Sequence, residues 1–388
     1  MRQFCKKAAC GLAALMGSAL AQPVHAGGFS LPAADTDILF TEGNLSLRFG
    51  GTGVFANQSF SSVAGVRTRD DNIARPLGLP SFAVKFKIAP SFSCALSYSV
   101  PYGGIVEYGP EVQGVTAGAL RARGGLPNAS RGFSIDSQEF AATCLAGLPL
   151  GPGLVYTLGG PLLESIHYRD RTPLGTLRLD SNGVFGYRVG LGYAIPEYAL
   201  RLQVLYRSAV DHKADGTFTP GILAPLIGLR SVLPVVGSAT TPQSVKASAQ
   251  TGIAPGWLAY GSFTWVNWSV LPSLNYEISG LGATSKILNL RDGYTVQGGI
   301  GHVLTERLSG TVNLTWDRRT GSQALVIPQS TAIGLGLEYK LDWGKIAGGV
   351  SLARLGSGSQ NFRSGASVEG RIGSGYAVAI GTSYLLEF

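Results

Sequence analysis

The sequence predicts an all-β fold, a fourteen-stranded antiparallel transmembrane β-barrel with a short N-terminal segment ahead of it. Three observations carry this reading. Of 388 residues, 45% are hydrophobic, only 14% are charged and 55 are Gly, whereas a soluble domain carries roughly 25% charged residues. After the N-terminal stretch no apolar run approaches the roughly 20 residues that a membrane-spanning helix needs. Apolar and polar residues instead alternate with period two in segment after segment, the pattern of strands with one face to lipid.

The N-terminus comes first. Arg2, Lys6 and Lys7 precede an apolar stretch from Ala8 to Ala21, and Val24, His25 and Ala26 form a small-x-small box. This is the build of a secretory signal peptide spanning residues 1–26, with the mature chain beginning at Gly27. Its removal takes three basic residues and no acids, lowering the net charge from +8 to +5. No Lys/Arg cluster or basic aromatic stripe appears, so no nucleic-acid partner is expected. Cys5 and Cys10 leave with the signal, and Cys94 and Cys144 remain in an exported, oxidising setting. They form either one disulfide or two small buried or lipid-facing side chains, because sequence does not fix the Cα separation a disulfide requires.

The strands follow. In 185–195 the apolar parity is Phe185, Tyr187, Val189, Leu191, Tyr193 and Ile195, against Gly186, Arg188, Gly190, Gly192 and Ala194. In 92–100 it is Phe92, Cys94, Leu96, Tyr98 and Val100 against Ser93, Ala95, Ser97 and Ser99. Fourteen such segments fall near 44–57, 80–89, 91–100, 133–148, 153–168, 183–196, 198–211, 242–253, 256–271, 293–303, 307–319, 329–341, 344–355 and 374–388. The last places Tyr376, Val378, Ile380, Tyr384, Leu386 and Phe388 on one parity. A final strand ending on an aromatic residue resembles the signal by which bacterial outer-membrane barrels are recognised, which implies the barrel assembly machinery as a partner during biogenesis.

The connections alternate. Tight turns at 89–90, 149–152, 254–255, 304–306 and 342–343 contrast with long loops such as 58–79, 101–132, 212–241 and 356–373. Short turns face the periplasm and long loops the outside in such barrels. A soluble β-sandwich or secreted β-solenoid also alternates, but neither accounts for the signal, the aromatic last strand and the loop rhythm together. The expected setting is the bacterial outer membrane, with membrane lipid around a monomer.

With the strands placed, several segments resemble the FadL family of outer-membrane channels for hydrophobic compounds, which includes TodX-like transporters. Residues 79–104, ending in Pro101, Tyr102, Gly103 and Gly104, look like the family's second and third strands. Tyr206, Arg207 and Ser208, then Thr264, Trp265 and Trp268, then Arg291, Asp292 and Gly293, and finally Trp316, Asp317 and Arg318 continue the likeness in order. The resemblance implies passive uptake of hydrophobic small molecules, above all long-chain fatty acids, and with no Cys pair at metal-ligand spacing and no glycine loop suited to phosphate, no cofactor or metal is expected. It also implies an N-terminal plug, the hatch. Here only Gly27 to Gly43 precede the barrel at 44–388, and Asp35 to Gly43 looks like a hatch remnant lacking the family's Asn-Pro-Ala element.

Three groups of residues are candidates for the site. Arg188, Arg201 and Arg207 lie on inward parities, either as contacts for an acidic head group or as members of an ion-pair network with Asp317 and Glu338. Phe218, Ile222, Leu223, Leu226, Ile227 and Leu229 make one long loop too apolar to be merely solvated, and such a patch marks either substrate capture or packing on neighbouring loops. Pro101 to Gly104 end a strand where Pro cannot donate to a ladder and Gly permits a bend; by resemblance, a kink there opens the wall for lateral exit. Enzymatic chemistry finds little footing, since the mature chain has only His167, His212 and His302, with Ser309 the one serine near a lipid-face histidine. A diffusion porin, and a structural or adhesive barrel, are the competing readings.

Overall fold

The structure, a computed structural model, describes residues 29–388 apart from 33 and 71. The segment read as a signal peptide lies outside the described residues. Fourteen strands build the wall: β1 (Leu45–Asn57), β2 (Leu77–Ala89), β3 (Phe92–Ser99), β4 (Gly132–Leu150), β5 (Gly153–Arg171), β6 (Gly175–Ile195), β7 (Leu200–Arg207), β8 (Ser244–Ala254), β9 (Trp257–Val266), β10 (Gly293–Val303), β11 (Leu308–Asp317), β12 (Ser330–Leu341), β13 (Gly344–Leu355) and β14 (Gly375–Glu387). Each pairs antiparallel with its sequence neighbours, and β14 returns to β1 from Ser46 opposite Glu387 to Asn57 opposite Tyr376. Closure leaves the wall itself without an edge strand. All fourteen segments expected from the alternation are wall strands.

The alternation sorts side chains as the period requires. Phe185 and Leu191 on β6 are 65% and 61% exposed, while Gly186, Arg188 and Gly190 between them are buried. Leu335, Leu352 and Ile380 repeat the outward apolar face on β12, β13 and β14. Exposed Tyr198, Trp257, Trp343 and Phe388 mark the short-turn end, and Trp316 and Tyr376 lie at the other, an apolar band between aromatic belts. Cys94 on β3 stands directly opposite Cys144 on β4, both on the outward face, and the structure bonds them.

Strand length departs from expectation on one side. β4, β5 and β6 have 19, 19 and 21 residues, about twice the 9–11 that a tilted spanning strand needs. They project beyond the wall, so 169–182, left outside the expected strands, is strand except for 172–174. The projecting edge of β6 offers unpaired backbone groups, and the chain after β7 satisfies them. Val210–Pro220 pairs with β6, Leu233–Thr241 pairs with Val210–Pro220, and the hairpin Ser273–Ile278/Gly282–Ile287 extends the sheet. Residues 212–241, expected as a loop, are therefore mostly two strands joined through a 3-10 turn at Ala224–Ile227.

The remaining long connections cap the same end. Helix α1 (Pro110–Ala122) starts with Pro at its first turn, where a missing N–H is harmless. Val112 on α1 packs with Phe60, Val63, Tyr108 and Val368, and a small three-stranded sheet unites Phe60–Val63, Gly358–Gln360 and Gly370–Ile372.

Candidate functional site in the barrel lumen

The barrel encloses a cavity of about 350 Å³, and the N-terminal segment forms its floor and part of one side. Ile38 and Leu39 are buried among Ala83, Ala95, Leu145, Tyr156 and Leu158 near the short turns. Ion pairs fix this stretch to the wall: Asp35 meets Arg48 at 2.5 Å and Asp37 meets Arg201 at 3.0 Å. The Arg201 guanidinium also lies 4.6 Å from the Phe40 ring centroid, and Lys85 donates through Nζ to the Thr41 carbonyl. Short as it is, the segment from Phe29 to Gly43 thus packs inside the barrel.

Higher up, the same segment runs along the end of β3. Leu31 N–H donates to the Pro101 carbonyl at 2.8 Å and Gly103 N–H to the Phe29 carbonyl at 2.9 Å. Gly103 and Gly104 permit this approach, because a Cβ on Gly103 would sit 2.8 Å from Leu31 Cδ1 and one on Gly104 3.2 Å from Phe29 Cδ1. The sequence assigned these glycines to a bend; neither has a positive φ, and what they supply is room.

At this point the wall loses its ladder. Pairing between β2 and β3 ends at Phe82 opposite Tyr98, and resumes only where Arg75 N–H donates to the Ile105 carbonyl. Between these rungs Pro80 and Ser81 on one side and Ser99, Val100 and Pro101 on the other all line the cavity. Pro80 and Pro101 lack the N–H that a continuous ladder would need. The opposite flank of β3 is patched: Ser137 Oγ accepts the Tyr102 N–H at 2.8 Å and donates to the Tyr102 carbonyl at 2.9 Å. Tyr102 then crosses to the other wall. Its hydroxyl donates to the Pro242 carbonyl at 3.1 Å and accepts from Arg207 Nη1 at 3.1 Å.

The three arginines divide. Arg188 and Arg207 share the carboxylate of Glu139, and Arg207 also meets Glu164. Glu164 in turn accepts from Thr241 Oγ1 at 2.7 Å and lies 2.9 Å from His212 Nε2. Arg201 stands apart, near the floor, with Asp37 and Gln250. The carboxylates beside the three arginines are not the expected Asp317 and Glu338 but Glu139, Glu164 and Asp37, while Glu338 pairs with Lys345 and Asp317 accepts from Thr295 and Ser330. Glu139 was legible as an acid on the inward parity of β4. Glu164 was hidden, because its inward-facing neighbours on β5, Tyr156, Leu158 and Leu162, are themselves apolar, so parity there does not separate lumen from lipid. Lys246, a further lumen cation, faces the cavity from β8.

The apolar loop residues also separate. Phe218 is buried with Leu177, Leu179, Val235 and Ile278, and Leu223 and Leu229 are half-buried. Ile222, Leu226 and Ile227 are exposed at the tip. Below them, an aromatic and aliphatic cluster of Tyr102, Phe133, Trp268, Leu271, Leu290 and Ile327 fills the space at the mouth of the barrel.

No protein-family model and no curated protein matches the sequence. Solved structures match along nearly the whole chain. A FadL homologue from Pseudomonas aeruginosa superposes with a TM-score of 0.68 at 14% identity, covering 97% of this chain and 98% of that one. The toluene transporter TodX of Pseudomonas putida gives 0.60 at 13% identity, with 96% and 100% covered. The monoaromatic hydrocarbon channel CymD gives 0.58 at 12%, with 95% and 98% covered. The fold is that of FadL and TodX, as the sequence segments indicated.

Proposed function

We propose that this chain is an outer-membrane channel of the FadL and TodX kind, passing hydrophobic small molecules from the cell surface into the membrane by passive diffusion. One observation carries the reading: the cavity is floored by the N-terminal segment, and its side wall lacks a ladder between Pro80–Ser81 and Ser99–Pro101. A ligand held above Ile38 and Leu39 has its shortest way out through that gap, sideways, where an apolar molecule meets lipid rather than water. The long-chain fatty acid is the proposed substrate because the cavity lining carries five cations, Arg48, Arg188, Arg201, Arg207 and Lys246, against Asp35, Asp37 and Glu139, and stays one cation ahead when Glu164 behind Arg207 is counted. The excess favours a carboxylate head group. Exposed Ile222, Leu226 and Ile227 at the loop tip are the proposed point of first contact.

A diffusion porin is the competing reading, favoured by cavity-facing Gln203, Ser248, Gln250, Ser262 and Gln297. Single-channel conductance of the refolded protein in planar bilayers, with and without oleate, separates the two. Negligible conductance together with oleate binding supports the hydrophobic-substrate channel. A large ohmic conductance indifferent to oleate overturns it in favour of the porin.

A further inference from the structure

A second cavity, of about 360 Å³, opens at the long-loop end, away from the lumen. Three connections build it: the one leading into β10, the one between β11 and β12, and the one between β13 and β14. Its lining includes Arg291, Arg319, Asn289, Gln323, Ser359 and Ser364, and no carboxylate. Three arginines of this end hold carboxylates. Arg75 and Arg171 both hold Glu107, at 2.6 and 2.5 Å, and Arg123 holds Glu369 at 2.9 Å. Arg291 and Arg319 have no ion pair among the described residues, and both face the same space.

One further polar group is oriented as a donor. Gln323 Oε1 accepts from Asn361 Nδ2 at 3.2 Å and from Ser364 Oγ at 3.4 Å, so its oxygen is engaged and its NH2 is the group left to give. The frame is fixed by bonds between the loops. Arg291 N–H donates to the Thr320 carbonyl at 2.8 Å, Ser322 Oγ to the Leu288 carbonyl at 2.7 Å, and Asn361 N–H to the Gln323 carbonyl at 3.0 Å. Asn289 holds a positive φ of 45°, a conformation Asn tolerates better than most residues. Gly358 leaves room for both Val326 and the Arg319 guanidinium, since a Cβ there would lie 2.6 Å from Val326 Cγ1 and 3.2 Å from Arg319 Nη2.

Two guanidinium forks and an oriented amide around one uncompensated space match an oxyanion with several acceptor oxygens. We propose that this cavity is a surface site for a phosphate-type group, carried either by a phosphorylated glycolipid head group of the surrounding leaflet or by a free phosphorylated solute. The site is independent of the lumen and of the transport reading.

The test uses the refolded full chain in zwitterionic detergent at low ionic strength, titrated calorimetrically with inorganic pyrophosphate. Expected is one saturable site that R291Q/R319Q weakens by about tenfold or more, the scale of losing charge-assisted hydrogen bonds. The double variant R230Q/R354Q removes the same charge elsewhere and is expected to change affinity less than about twofold. The single variant R319K keeps the charge, loses the fork and, should the double variant fail to fold, is expected to weaken binding several-fold alone. Absence of saturable binding, or equal weakening by the control pair, overturns the proposal. Nanodiscs with phosphorylated or dephosphorylated glycolipid then distinguish the sources. Displacement of pyrophosphate by the phosphorylated lipid alone assigns the site to the head group, and no displacement by either assigns it to a soluble phosphate.

Discussion

Glu139 on β4 and Arg207 on β7 meet inside the barrel with Arg207 Nε 2.9 Å from a carboxylate oxygen, although their strands stand three apart in the wall. The strand registers set Arg188 opposite Arg207 and Glu139 opposite Glu164, like charges that would repel if left to themselves. The crossing bonds from Glu139 to both arginines convert the two repulsive pairs into one network. Glu139→Ala leaves Arg188 and Arg207 facing each other with half their counter-charge, and is expected to destabilise the barrel by about 3–5 kcal/mol. Urea unfolding followed by tryptophan fluorescence and by the heat-dependent shift in gel mobility measures this. A loss below about 1 kcal/mol would mean that water screens the cluster.

The gap between β2 and β3 predicts a separation of function from stability. Ser81 and Ser99 are next in register beyond the last rung at Phe82 and Tyr98. A disulfide between S81C and S99C bridges the gap, and its oxidation is expected to slow uptake of a labelled fatty acid into proteoliposomes by about tenfold while reduction restores it. Uptake that ignores the redox state would show that the substrate takes another path.

Phe218 and its neighbours at the loop tip are expected to part company. Phe218→Ala opens a void beside Leu177, Leu179 and Val235 and is expected to cost about 3–5 kcal/mol. The triple change I222S/L226S/I227S touches only exposed side chains, so the unfolding midpoint stays within measurement error while substrate binding weakens. Unchanged binding in that variant removes the tip from the capture pathway.

Cys94 and Cys144 are 50 residues apart in sequence, so their bond restricts a long loop of the unfolded chain. The C94A/C144A variant is expected to assemble normally and to lose up to about 4 kcal/mol of unfolding free energy. The same loss should follow reduction of the wild type before unfolding, and a variant as stable as the oxidised protein would place the strain or the entropy elsewhere.

The wall was legible in the sequence because a lipid-facing strand leaves a residue-by-residue trace: Phe185 to Ile195 alternates without a break, and so does Tyr376 to Phe388 apart from Thr382. What lies above and inside the wall left a weaker trace. The chain at 212–241 reads as a loop since Pro220, Gly221 and Gly228 punctuate it, yet the projecting edge of β6 draws most of it into strands. Arg188 and Arg207 could be placed inward from parity alone. Their partners depend on the stagger between strands, which no local pattern encodes.

Glu107, at the long-loop end, is the group whose titration should be visible. Hydrogen bonds from Arg171 and then Arg75 hold its carboxyl below the usual glutamate value, outweighing a smaller rise from burial. Because the folded value lies lower, the unfolded chain binds more protons in the interval between the two. The stabilisation is therefore complete above the unfolded glutamate value of 4.5 and is lost as pH falls through the folded one. Glu107→Gln removes the charge at every pH. The difference in melting temperature between wild type and E107Q is expected to be largest at neutral pH and to shrink toward zero as acidification passes the folded value, and a difference that persists unchanged into acid would mean that the two arginines recognise the carboxyl by shape rather than by charge.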